Sequence, residues 1–136
     1  MKPLPGPAFL VGNEWRESPV RQSITNPFTE QPLAEVCQAQ EPDIEQAIQL
    51  SASSFPSLAQ LPAHQRAKAL HYIADGLTTR QQEFAKVMSL ESGKPINDAL
   101  REVHRAIQTF TLASEETKRM LGETIPMDIS PGMEHH

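Results

Sequence analysis

Leu90-Glu91-Ser92-Gly93-Lys94-Pro95 separates two helical patterns, and its reading organises the rest of the chain. Before it stand Phe84, Val87, Met88 and Leu90; after it, Ile96, Ala99, Leu100, Val103, Ile107 and Phe110. The spacing is helical on both sides. Gly93 sits where a left-handed cap ends the first helix. Pro95 suits the opening turn of the next, where no intrahelical donor is needed and a fixed φ is already helical. The Gly-Lys pair is not a phosphate cradle: that motif needs an earlier glycine and a hydroxyl after the lysine, and the positions hold Met88 and Pro95. Lys94 reads as a solvated cation near the helix end.

Working outward, Pro42 in a first turn with Asp43 and Glu45 at the positive pole predicts a helix from about 42 to about 53. Its buried stripe would be Ile44, Ala47, Ile48 and Ser51, and Phe55-Pro56 would stop it. Leu61-Pro62 opens a second helix with the stripe Ala63, Ala67, Leu70, Ala74 and Leu77. A third spans about 80 to 92. A fourth runs from about 96 to 121, about 39 Å at 1.5 Å per residue, with Lys118-Arg119 at its negative pole and Gly122 as cap.

On the N-terminal side, residues 1–8, rich in Pro and Gly, read as a disordered lead. Phe9 to Trp15 is a hairpin turned by Gly12-Asn13, with Trp15 anchored to the core. Ser23-Ile24-Thr25, the turn 26–31 and the strand Pro32 to Gln38 make a second hairpin. Such short strands need helices or a larger sheet to lie against. At the other end, Ile125, Met127 and Ile129 alternate, which starts an edge strand, since Pro126 cannot donate to a ladder. Residue by residue, the chain is a mixed domain of hairpins and helices.

Composition narrows the function. Twelve basic against 17 acidic residues give a net charge of −5, and no Lys/Arg cluster forms a phosphate-reading face, so nucleic acid is not expected as a partner. No run approaches the roughly 20 apolar residues of a membrane span, and no signal peptide is read at the N-terminus. One cysteine, Cys37, permits no internal disulfide, and a reducing, cytoplasmic setting is expected. Cys37 lies in an alternating strand pattern with no neighbouring base, so it reads as structural.

Of the five histidines, His64 and His71 share a helix face and His104 lies near Asp98 and Glu102; both groups read as solvated polar surface. His135-His136 reads equally as native sequence or a tag remnant. No nucleophile elbow, dinucleotide-binding glycine turn or metal-ligand spacing is present, so the catalytic and cofactor-binding sets within the chain are empty.

Five strings occur in an order that resembles the N-terminal portion of the aldehyde dehydrogenase superfamily: Phe9-Leu10-Val11-Gly12-Asn13-Glu14-Trp15; Ile24-Thr25-Asn26-Pro27-Phe28-Thr29-Glu30; Asp43-Ile44 with Ala47-Ile48; Leu61-Pro62-Ala63-His64-Gln65-Arg66; and Leu90 to Pro95. The resemblance covers about Phe9 to Met127. It implies an α/β fold for the full-length enzyme, of which this segment supplies N-terminal hairpins, four helices and a starting edge strand. Residues 9–121 would be the outer helical layer and hairpins of the cofactor-binding domain, and 122–136 the start of the oligomerisation arm.

The same resemblance implies oxidation of an aldehyde to an acid with NAD or NADP, through a cysteine thiohemiacetal and a glutamate-assisted hydrolysis. All of those residues come later in the family, and Cys37 does not match the nucleophile's motif. The segment alone is therefore expected to bind no cofactor and to be inactive, its partners being the remainder of its own chain and a neighbouring subunit of a homo-oligomer. Some members hold a monovalent cation, which would lie here near the Thr25 carbonyl and Glu102; the competing and favoured reading is that Glu102 faces solvent or an arginine such as Arg101 or Arg105. The alternative is a free-standing interaction module that kept the fold elements without the chemistry.

Overall fold

The computed structural model describes residues 8–122. Strands β1 (Phe9–Val11), β2 (Glu14–Arg16), β3 (Arg21–Thr25) and β4 (Pro32–Cys37) precede helices α1 (Glu41–Ala59), α2 (Ala63–Thr79), α3 (Gln81–Ser92) and α4 (Ile96–Thr117). The strands form two separate antiparallel pairs, β1 with β2 and β3 with β4. Gly12, at φ +60°, turns the first and sets Leu10 opposite Trp15. In the second, Asn26 Oδ1 accepts from the Phe28 and Thr29 amides, and a register shift between Ile24 and Thr25 brings Thr25 opposite Pro32. The side-chain turn of Asn26 offers the backbone a local partner in place of a ladder bond.

The core lies where α4 crosses α2 and α3. Ala67 and Ala74 of α2, Ala85 of α3, and Ala99, Val103 and Ser114 of α4 are its buried residues, with Met88, Leu100 and Ile107 partly buried against it. Small side chains let the helix backbones approach closely. Ser114 Oγ donates to the Ala67 carbonyl at 2.8 Å, tying the end of α4 to the start of α2, so the two run antiparallel. Among the described residues no large side chain is fully buried, and the core is correspondingly thin.

Several expectations are corrected. α1 does not stop at Phe55-Pro56 but runs through Pro56 to Ala59. Proline removes one helical donor and crowds the preceding turn, yet the carbonyl it leaves, that of exposed Ala52, is open to water. The stripe Ile44, Ala47, Ile48 and Ser51 is not buried, for α1 has no buried residue at all. Trp15 is half-exposed rather than buried in the core. α4 ends at Thr117 rather than Leu121, about 33 Å long. Its last turn tightens, Lys118 N and Arg119 N donating to Glu115 O and Glu116 O, so Gly122 is not the cap. Pro95 precedes α4 as its N-cap instead of sitting in its first turn. The expected lead (but for Ala8) and the edge strand 124–129 lie outside the described residues.

Candidate functional site

The corner between α3 and α4 forms as the local sequence requires. Gly93 has φ +72°, its amide donates to the Ser89 carbonyl at 3.0 Å, and the Ser89 hydroxyl donates to the Lys94 carbonyl at 2.8 Å. Asp98 and Ala99 amides return to the Pro95 carbonyl and start α4. The β3–β4 turn presses onto this corner: a Cβ on Gly93 would stand 2.9 Å from Pro27 Cγ.

Beyond the corner, Lys94, Asp98, Arg101, Glu102 and Arg105 line a cleft of about 530 Å³. The last four fall at i, i+3, i+4 and i+7, one face of α4, opposite the face carrying Ala99 and Val103. Lys94 Nζ donates to Glu102 Oε1 at 2.8 Å, and Arg101 pairs with Asp98. Among the described residues Arg105 has no ion-pair partner. Two carboxylates against three cations leave an excess positive charge carried by Arg105, suited to an anionic group of a ligand. Among the described residues no thiol, hydroxyl nucleophile or imidazole lines the cleft, so those side chains can orient a ligand but not attack one.

The other residues singled out from the sequence are dispersed. Lys94 is not a free solvated cation but is held by Glu102. Glu102 therefore takes its partner from its own chain, and Thr25 closes β3 opposite Pro32. Cys37 is buried on β4, its Sγ donating to the Ser18 carbonyl at 3.3 Å, in keeping with a structural role. His64 and His71 line a different cleft, between α2 and α4, with His71 Nε2 3.7 Å from Asp75; His104 is exposed. Among the described residues no group of His, Cys, Asp or Glu is placed to hold a metal. Arg80, over the Phe84 ring at 5.0 Å, hydrogen-bonds Glu83, which lowers the Glu83 carboxyl below its usual range and raises Arg80. Sequence reasoning weighed Arg105 only as a partner of Glu102, which pairs with Lys94 instead, and so missed its place in the cleft, as it missed the Pro27 contact. The helical spacing of the first was visible; the second joins segments far apart in the chain.

The sequence pattern of the aldehyde dehydrogenase family matches residues 15–135. The chain belongs to the aldehyde dehydrogenase family. It is 33% identical over 127 residues to the 3-sulfolactaldehyde dehydrogenase of Priestia aryabhattai, covering 93% of this chain and 26% of that one. The fold superimposes on aldehyde dehydrogenase 21 of Physcomitrella patens, in complex with the reaction product succinate, with a TM-score of 0.87 and 36% identity, over 95% of this chain and 27% of that one. The NADP-dependent glyceraldehyde-3-phosphate dehydrogenase of Bacillus halodurans C-125, complexed with NADP, gives a TM-score of 0.87 at 27% identity over 94% of this chain. This family member spans about a quarter of the length of the curated relatives it matches. Its described part is the segment of hairpins and helices that the resemblance implies for the N-terminal side of an α/β enzyme. Among the described residues no helix is long and apolar enough to cross a membrane.

Proposed function

We propose that the chain is the N-terminal part of an NAD(P)-dependent aldehyde dehydrogenase whose aldehyde carries an anionic group at its far end. The observation that carries the first half is the superposition of nearly the whole chain on one quarter of such enzymes. In that reading the nicotinamide cofactor accepts a hydride, while the nucleophilic cysteine, the base and the cofactor turn lie in the remaining three quarters. This segment scaffolds the cofactor-binding domain and, with residues 122–136, reaches toward a neighbouring subunit. The second half rests on the cleft at the start of α4. The substrates or products named for the three relatives carry a sulfonate, a carboxylate or a phosphate, and Arg105 is the cleft cation free to meet such a group.

The test joins this chain in frame to the remaining three quarters of the Priestia aryabhattai enzyme. The fusion is expected to reduce NAD or NADP with 3-sulfolactaldehyde, and the chain alone to produce nothing above a blank. Nicotinamide reduction by the chain alone, abolished by Cys37→Ala, would overturn the reading. A folded fusion without activity would favour a non-catalytic interaction module.

A further inference from the structure

α1 is an amphipathic helix whose apolar stripe is, among the described residues, met only in part by β1 and otherwise left open. Ile44, Ile48, Phe55 and Leu58 recur at helical spacing and are 54%, 59%, 65% and 56% exposed. In an aqueous protein such a helix owes most of its stability to packing of that stripe, since propensity alone sustains isolated helices poorly. Among the described elements α1 touches β1 most, and only lightly. Between them runs a groove of about 470 Å³ walled by Phe9, Val11, Ala39, Ile44, Ala47 and Ile48. The charge on its rim, Asp43, is already engaged by Arg16 at 3.3 Å, and Asp43 also accepts from the Gln40 amide. The groove thus presents almost no unsatisfied polar group, which fits an apolar occupant and disfavours a charged one.

Two observations identify that occupant. The two halves of the chain, hairpins with α1 and the bundle α2–α4, share few contacts. Yet 95% of the chain superimposes on an enzyme of which it covers 27%. An arrangement shared with enzymes four times longer, and held by so little of its own packing, has its filling in the rest of their chains. We infer that the α1–β1 groove and the stripe continuing to Leu58 are the seat of an apolar helix or strand from the other three quarters of an aldehyde dehydrogenase polypeptide. The inference rests on the family reading and assigns its main internal interface to α1.

The test supplies the occupant as a separate polypeptide, the Priestia aryabhattai enzyme lacking its N-terminal quarter, and measures its binding to the 136-residue chain by sedimentation. A complex is expected. Ile48→Asp is expected to weaken it tenfold or more, and Phe55→Asp, at a side chain two-thirds exposed and so with few internal contacts to lose, is expected to do the same. Ile73→Asp, on the exposed side of α2, is expected to leave it unchanged. Equal binding by the wild type and both α1 variants would overturn the inference while leaving the enzyme reading intact. Absence of any complex would overturn it too, as would self-association of the chain that Ile48→Asp abolishes without altering the complex, which would make a second copy the occupant. An inactive in-frame fusion, in contrast, sinks the enzyme reading.

Discussion

Pro27, at the tip of one hairpin, lies against Gly93, at the corner between two helices 66 positions later, with 2.9 Å between Pro27 Cγ and the place a Cβ on residue 93 would occupy. Two independent demands meet at Gly93: a left-handed φ of +72° and no room for a side chain. Gly93→Ala is expected to destabilise the in-frame fusion by about 1–3 kcal/mol, the scale of a residue forced into that backbone region. Pro27→Ala should recover the steric share and leave the backbone share. Thermal melts of the two single variants and the double variant check this; an additive result would mean the Pro27 ring does not press on the corner.

Lys94 and Glu102 form a partly exposed pair, their side chains 29% and 41% accessible. Solvent screening keeps such pairs weak, so the coupling expected from a double-mutant cycle with Lys94→Met and Glu102→Gln is about 0.5–1 kcal/mol. Because the ammonium already satisfies the carboxylate, the melting temperature of the fusion should be the same in sodium, potassium and choline salts. Stabilisation by one of the metal cations, lost in Glu102→Gln, would restore a cation to this position.

Arg105→Glu in the fusion is expected to raise KM for 3-sulfolactaldehyde at least about tenfold, the effect of removing one charge-assisted contact. KM for an uncharged aldehyde of similar length should change little. Equal changes for both substrates would detach the cleft from substrate recognition.

Arg80 lowers the carboxyl of Glu83, so this pair stabilises the fold above the ordinary carboxylate pKa, and the contribution disappears as pH falls through the lowered value. Glu83→Gln should therefore remove part of the acid-side loss of stability and leave the slope above pH 6 unchanged. Melts across the acid range test the sign. Both groups are at the surface, so the difference is expected to be small.

The isolated chain is expected to self-associate or bind an apolar dye. Ile44, Ile48, Phe55 and Leu58 are each more than half exposed. At about 1.5–3 kcal/mol for burying each such side chain, they leave roughly 3–6 kcal/mol unrealised. That is comparable with a whole domain's stability. A sharp monomer boundary with a cooperative melt and no dye binding would show that the chain closes its own core.

Short-range chemistry was legible in the order of residues. Glycine at 93 and proline at 95 end one helix and begin another because backbone conformation there is decided by the residues themselves. Gly12-Asn13 makes its hairpin for the same reason, and all four helices and both hairpins form, though α1 runs past its expected end and α4 stops short of its own. Pro56 misled because a proline near a helix end costs little when the carbonyl it orphans faces water, and exposure is not written locally. Periodicity showed that Ile44, Ala47 and Ile48 share a face. That β1 covers this face only in part, leaving Ile44 and Ile48 more than half exposed, is a property of the tertiary arrangement, since burial depends on which distant segments arrive. Likewise Arg105 could be placed on a helix from its spacing, but its standing as the unpaired cation followed only once Lys94 was seen to take Glu102 and Arg101 to take Asp98.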